Sequence, residues 1–452
     1  MKNIVIIGNG ISGISAARHI RKRSDHRILV VSSETKHFFS RTALMYIYMG
    51  HMEYENTKPY EDYFWEKNRI DLMYDRVESV DYATKRLIMQ SGASVAYDDL
   101  ILAVGSKPNK FGWPGQDLPG VQGLYSYQDL QLLEENTHPP FAKANERKVK
   151  RAVIVGGGLI GVELAEMLLT RNIEVTFLVR ESKFWGNVLP EEEGKLVSNH
   201  IKSHHVDLRF NTELQSIEAG DNGRVSHIIT KDGERIDCEL VGLTAGVSPN
   251  IEFLKGDGLE TNRGIKVNRY LETNQPGVYA IGDCAEFHEP VTGRRPLEQV
   301  WYTGRMMGET VAQTICGDRS IYEPGMWFNS AKFFDIEYQT YGWVRANLEQ
   351  GEAAFYWEDS KGEKCLKLVY DESSRKLKGI NNFGIRMRHE IAERWIEGGK
   401  TVDHALEHLR DANFDPEFYT LYEKQILDKF NQEQGTSIKL KKKSWKRIFS
   451  KA

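Results

Sequence analysis

Short runs of apolar residues recur along the chain and set its organisation. Ile4 to Ile7, Arg27 to Val31, Tyr97 to Val104, Ala152 to Val155, Ile173 to Val179, Glu239 to Thr244 and Val278 to Ile281 are each too short and too continuous for an amphipathic helix. They predict buried strands of parallel sheets. Ile14 to Ile20, Ser126 to Asn136, Val162 to Leu169 and Leu297 to Gly317 read as helices, and His51 to Trp65 has a helical look. Strands and helices that alternate predict an α/β fold. Ile70 to Ala93 and Val206 to Ile236 alternate with period two instead and read as meanders of short strands. From Tyr322 the pattern changes. Trp327 to Tyr341, Ala353 to Tyr370 and Lys376 to Phe383 look like antiparallel strands. Arg388 to Gly398, Val402 to Arg410 and Pro416 to Asn431 look helical, so a separate α+β domain is expected.

Two of the strand-to-helix junctions carry the same glycine spacing. Gly8, Gly10 and Gly13 follow the first strand, and Gly156, Gly158 and Gly161 follow a later one, about 150 residues on. In a GxGxxG turn the first glycine permits the bend and the second lets a pyrophosphate approach the backbone. The third lets the helix pack on its strand. The helix N-terminus then offers free N–H groups to the phosphates. Glu34 stands about 20 residues past the first turn, where a carboxylate accepts hydrogen bonds from a ribose diol. A single such turn is a weak signal. Two, each in a strand–turn–helix–strand frame, imply that two nucleotides are bound. The second unit has Val179 at the acidic position, followed by Arg180, Glu181 and Lys183. The two cations favour a 2′-phosphate and Glu181 opposes it, which gives a slight lean to NADPH over NADH.

Other strand ends repeat one another. Ala103, Val104, Gly105, Ser106, Lys107, Pro108 and Asn109 parallel Ala245, Gly246, Val247, Ser248, Pro249 and Asn250. Gly282 leaves room for a ligand past the strand Val278 to Ile281, and the Asp283 carboxylate could accept a bond from a polyol; the other reading is a turn cap. The helix that opens near Val300 and Trp301 could stabilise negative charge at a ring edge, or Trp301 is simply a core aromatic.

Length predicts two to three domains. A net charge of −4 gives no bulk attraction to nucleic acid. No apolar run approaches the roughly 18 residues of a bilayer span, and no signal-peptide cleavage pattern follows Lys2, so a cytoplasmic protein is expected. Cys238, Cys284, Cys316 and Cys365 are widely spaced, which argues against a disulfide framework, an iron–sulfur cluster and a zinc site built on cysteine. The tail SIKLKKKSWKRIFSKA interleaves cations with Leu440, Trp445, Ile448 and Phe449. It reads as a weak contact with an anionic membrane surface, as a contact with an acidic partner, or as a solvated terminus.

The order GNGISG, LAVGSKPN, GGGLIGVELAE, LTAGVSPN and GVYAIGD resembles the FAD-dependent pyridine nucleotide-disulfide oxidoreductase superfamily over roughly residues 1–340. The resemblance implies two Rossmann-like dinucleotide-binding domains and a C-terminal α+β domain. FAD would lie on residues 1–112 and 243–322, and NAD(P)H on 113–242. Residues 323–434 would form an interface domain that supports a homodimer, and 435–452 a basic tail. The implied FAD contacts are Gly8, Gly10, Ser12, Gly13, Glu34, Arg41, Ala103, Gly105, Gly282, Asp283, Val300 and Trp301. Those to NAD(P)H are Gly156, Gly158, Ile160, Gly161, Glu163, Arg180 and Gly246. Arg41, Tyr46 and Glu163 are expected nearest the reacting ring, with Ser40 to Gly50 facing the flavin.

Departures from the family narrow the branch. There is no cysteine pair after Glu34 and no CxxC, and Thr42 stands where one branch has a single cysteine. What remains resembles rubredoxin and ferredoxin reductases, the flavin part of nitrite reductases and apoptosis-inducing factor. Ferredoxin-reductase-like members often carry RPPLSK in this loop; here Arg41-Thr42-Ala43-Leu44-Met45-Tyr46 puts Tyr46 in place of the lysine. Three functions are therefore expected to compete. One is a reductase of a small rubredoxin- or ferredoxin-like protein. The others are a membrane-surface quinone reductase and a flavin-binding interaction protein.

Overall fold

The structure, a computed structural model, describes residues 1–137, 149–256, 258–414 and 420–441. The fold is α/β, and the chain divides into two compact units. One comprises residues 1–180 and 212–324, the other 181–211 and 325–452. The segment 181–211, expected with the nucleotide-binding residues 113–242, groups instead with the C-terminal residues.

In the first unit the strands Val278–Ala280, Asp99–Leu102, Asn3–Ile7, Arg27–Ser32 and Ile70–Tyr74 form a parallel sheet in that order. Each of the first four is an apolar run foreseen above. Asn3–Ile7 is central, so both of its faces are covered and Ile4, Val5 and Ile6 are buried. The helix Ile11–Arg23 packs against the helix Trp301–Ile315. Small residues allow the close approach: a Cβ on Gly308 would stand 2.4 Å from the Ser12 carbonyl oxygen, and one on Gly304 2.6 Å from Ser12 Oγ. Burying side chains such as Ile14, Ile20 and Val311 contributes about 1.5–3 kcal/mol each to this core.

A second parallel set in the same unit holds Glu174–Leu178, Arg151–Val155, Leu240–Leu243 and Val121–Gln122. The meander Leu214–Ala219, Val225–Thr230, Arg235–Asp237 covers it, with Ile217 and Ile228 packed on Val153 and Val241. The helix expected over Leu297 to Gly317 begins only at Trp301; Leu297 pairs with Glu286 in an isolated bridge, which keeps the approach extended. His51 to Trp65 forms a short 3₁₀ turn, Tyr54–Thr57, and only the start of a helix, Tyr63–Lys67.

The second unit is an antiparallel sheet in the order Phe328–Phe333, Ile336–Gly342, Leu377–Phe383, Cys365–Asp371, Glu352–Glu358. The helices His389–Glu397, Val402–Glu407 and Glu423–Gln434 bury Trp395, Leu406 and Phe430 against its Tyr341, Phe355 and Ile380. Trp327 to Tyr341 and Ala353 to Tyr370, expected as antiparallel strands, are each a hairpin. The start of the basic tail lies on this core: Ile438 and Leu440 pack on it, and the Lys441 N–H donates to the Glu407 carbonyl (2.8 Å). Trp445, Ile448 and Phe449 lie outside the described residues. Among the described residues no helix is long and apolar enough to cross a membrane.

Candidate functional site

A cavity of about 750 Å³ opens in the first unit at the carboxyl ends of the first parallel sheet, against Ile7, Ser32, Ala103 and Ile281. Ligands of open α/β sheets bind at such carboxyl ends. Its wall takes Gly8, Gly10 and Ser12 from the first glycine turn, and Leu159, Ile160 and Glu163 from the helix after the second.

The turns meet the steric demands of a nucleotide cradle. Gly8 has φ +110°, and a Cβ there would stand 2.1 Å from the Ala103 carbonyl oxygen. A Cβ on Gly13 would stand 2.0 Å from the Gly8 carbonyl oxygen, whereas one on Gly10 would meet nothing within 4 Å. The open side of Gly10 therefore faces free space, as a pyrophosphate requires. Gly10 caps the helix Ile11–Arg23 without a side-chain bond, and no acid sits in its first turn. Its N-terminal N–H groups are thus left for an anion. Gly158 caps the helix Leu159–Thr170 in the same bare way.

A hydrogen-bonded chain lines one wall. Gln299 Nε2 donates to Ser106 Oγ (2.7 Å), and Ser106 Oγ donates to Asp283 Oδ2 (3.0 Å). The Tyr125 hydroxyl accepts from the Ser106 N–H (3.1 Å) and donates to Asp283 (3.4 Å). Burial raises the Asp283 carboxyl above its ordinary value, against the bond from Ser106. Burial also pushes the Tyr125 phenol up to about 12. Tyr125 is fixed by the helix that follows it. The Asp129 carboxylate accepts from the N–H groups of Tyr125 (2.9 Å) and Ser126 (2.8 Å), and Ser126 Oγ accepts from the Asp129 N–H (3.1 Å). This is a capping box.

Glu34 and Arg41 both line the cavity, and they are bound to each other. Arg41 donates to Glu34 through both terminal nitrogens (2.8 and 2.6 Å) and to the Tyr125 carbonyl (2.5 Å). Burial works against the guanidinium charge, but the bonds to Glu34 outweigh it and the net shift is upward. Glu34 also accepts from the Tyr127 N–H (2.9 Å). Arg41 is thus tied to Glu34, two residues past the strand Arg27–Ser32, on the wall of the cavity.

Tyr46 is not among the residues that line the cavity. On the single turn Leu44–Tyr48 the wall positions are Leu44 and Met45, and Tyr46 turns away to stack on His51 (6.1 Å). Val300, Gly282, Gly246, Arg180, Gly13 and the glycines 156, 158 and 161 do not line it either, whereas Ala103, Gly105, Asp283 and Trp301 do. Gly282 lies behind the wall, where a Cβ would stand 2.3 Å from Ser12 Oγ. Glu163 reaches the cavity from the second helix. Burial, then the nearby Glu166, pushes its carboxyl up to about 7. Tyr125 and Gln299 escaped the sequence reading; the Ser126–Asp129 capping box was the one signal that fixes the first of them.

No cysteine is among the lining residues, and Thr42 is. Cys284 is next to Asp283 in sequence but points into the core. Its thiol donates to the Leu102 and Ile281 carbonyls, and burial pushes it up to about 12.

Known proteins resemble this chain in sequence and in fold. The family model described as pyridine nucleotide-disulphide oxidoreductase matches residues 2–312. The assimilatory nitrate reductase electron transfer subunit of Bacillus subtilis (strain 168) is 27% identical over 388 residues, 85% of this chain and 48% of that protein. The chain thus spans about half the length of this relative. The NAD(P)H sulfur oxidoreductase (CoA-dependent) of Pyrococcus abyssi is 30% identical over 411 residues, 86% of this chain and 89% of its own length. A ferredoxin reductase structure from Rhodopseudomonas palustris superposes with a TM-score of 0.76 at 22% identity, covering 96% of this chain and 100% of that one. The chain belongs to the pyridine nucleotide-disulphide oxidoreductase family, whose members are oxidoreductases that use FAD and NAD(P)H.

Proposed function

We propose that this chain is an FAD-dependent NAD(P)H oxidoreductase that passes electrons to an external acceptor, a small rubredoxin- or ferredoxin-like protein, and not to a thiol of its own. One observation carries the reading. Both glycine-turn helices reach a single cavity, and its wall holds Thr42 where a relay cysteine would stand. FAD, when bound, supplies the exchange between two-electron and one-electron chemistry. The protein supplies binding and charge. Gly8, Gly10 and Ser12 take the pyrophosphate at the bare helix end, and Ser106 and Asp283 take the polyol. Glu163, its carboxyl pushed up to about 7, gains or loses a proton near neutral pH where the nicotinamide enters. The half-length match to an electron transfer subunit supports an acceptor that lies on another module or protein.

A second reading, reduction of sulfur species, has the 30% identical relative on its side and Thr42 against it. Of the apolar tail residues behind the membrane-surface reading, Leu440 packs on the core and Trp445, Ile448 and Phe449 lie outside the described residues. Stopped-flow reduction by NADH and by NADPH, followed by reoxidation with oxygen, quinone, polysulfide, rubredoxin and ferredoxin, tests the proposal. The expected result is rapid bleaching by a pyridine nucleotide, then fastest reoxidation by an iron–sulfur protein. Protein that stays colourless when supplied with FAD, or that is reoxidised fastest by polysulfide, overturns it. A reduced complex that no acceptor reoxidises points to the interaction-protein reading.

A further inference from the structure

Three side chains that the oxidoreductase reading leaves unused converge in the second unit. His200 and His204 stand four residues apart at the end of the helix Glu191–Ser203, so both imidazoles leave one face. Asp335 lies in the tight turn between the strands Phe328–Phe333 and Ile336–Gly342. Its Oδ1 is 2.6 Å from His200 Nε2 and 3.3 Å from His204 Nε2, and the two nitrogens are 3.3 Å apart. A tetrahedral Zn²⁺ with bonds of about 2.0–2.1 Å keeps its ligand atoms about 3.3 Å from one another. Two of the three separations already have that length. The third is a direct hydrogen bond that a cation would open by several tenths of an ångström.

The turn that presents Asp335 is strained. Phe334 has φ +55°, in the left-handed region that bulky residues rarely adopt and that Gly or Asn would occupy without cost. Such strain persists where the surroundings over-determine it. Here the Phe334 ring stacks on His204 (4.2 Å, 5° between planes) and meets His200 edge-on (6.3 Å, 77°), walling the site on one side. The His200 side chain is only 10% exposed, whereas Asp335 is 76% exposed, so an ion has a way in.

We propose that His200, His204 and Asp335 form a reversible site for Zn²⁺ or a similar divalent transition metal, with water in the fourth position. Two imidazoles and one carboxylate suit that ion class, whereas Ca²⁺ and Mg²⁺ require all-oxygen sets. Three protein ligands give an open, exchangeable site, not a closed structural one. The bound ion would staple the end of one helix to a hairpin 131 to 135 residues further along the chain. A second histidine cluster among the described residues, His404, Glu407 and His408, fits less well, because the Lys441 ammonium already stands 3.1 Å from His408 Nε2.

The test is Zn²⁺ titration of the full-length, FAD-loaded protein after chelator treatment, read by calorimetry and by thermal unfolding. One tight equivalent is expected, with a rise in unfolding temperature. His200→Ala, His204→Ala and Asp335→Asn should each weaken it about tenfold or more while leaving metal-free unfolding within a few degrees of the parent. His408→Ala should bind as the parent does. Absence of binding at micromolar Zn²⁺, or uptake that survives all three substitutions, overturns the assignment. Loss of binding in His408→Ala alone moves the site to the other cluster and overturns it equally.

Discussion

The two glycine turns share a backbone and differ in what their side chains do. Strand registers match step for step: Asn3 to Ile7 pairs Arg27 to Val31, and Arg151 to Val155 pairs Glu174 to Leu178. Gly8 and Gly156 have φ of +110° and +120°, and a Cβ on Gly156 would stand 2.6 Å from the Thr244 carbonyl, as one on Gly8 would crowd that of Ala103. Past that point they diverge. Asn9 follows the first glycine and donates to the Thr35 carbonyl (2.7 Å), tying the turn to the loop after the next strand. Gly157 has the matching place in the second turn, and its missing side chain makes way for Val179, whose Cγ1 would stand 2.8 Å from a Cβ. Glu34 is bound by Arg41 and Tyr127, whereas the second turn has buried Val179 and then exposed Arg180. A turn pre-organised by its own side chains suits a cofactor that stays, and a bare one suits a coenzyme that comes and goes.

That contrast can be broken most sharply at the first glycines. Gly8→Ala should yield folded protein with almost no FAD. Gly156→Ala should keep its FAD and lose at least about tenfold in the rate of reduction by NAD(P)H, because a strained backbone site costs about 1–3 kcal/mol. Visible absorbance and stopped-flow traces of the two variants decide it; exchanged phenotypes would reverse the assignment of the turns. Glu34→Gln comes next. It leaves the Arg41 guanidinium without its counter-charge, and should lower holoprotein stability by about 1.5–3 kcal/mol and loosen FAD, as read by thermal release of flavin fluorescence.

Arg180→Ala should raise KM for NADPH several-fold with little change for NADH, in steady-state assays with each coenzyme. An equal change for both removes the lean to the 2′-phosphate. The smallest effect is expected at Glu163. With its carboxyl near 7, the group is neutral below that pH and brings a negative charge to the cavity above it. Affinity for the anionic coenzyme should therefore fall as pH rises through 7, and Glu163→Gln should flatten that profile at the acid-side value. A parallel fall in both proteins would locate the titration elsewhere.

The parallel sheets were legible because a central strand must be apolar on both faces, and Asn3–Ile7, Asp99–Leu102, Arg151–Val155 and Leu240–Leu243 leave no other reading. The hairpins of the second unit were not. The turn at Phe334–Asp335 has neither Gly nor Pro to announce it, and that at residues 359–364 has only Gly362. The site was legible wherever a glycine has a steric reason, and less so where a side chain's direction matters. Position 46 falls on one helical turn, and a step of one residue sends the ring to His51 instead of the cavity. Tyr125 and Gln299 reach the wall through capping and an extended approach that leave little mark on composition.

Thr42 gives the cavity wall a further use. The chain's own sulfhydryls lie elsewhere: Cys238, Cys284 and Cys365 are sealed in cores, and Cys316 is not part of that lining. A cysteine introduced at position 42 would be the lone mercapto group at that wall. That position could carry a spin label or dye that reports on the neighbourhood of the cavity.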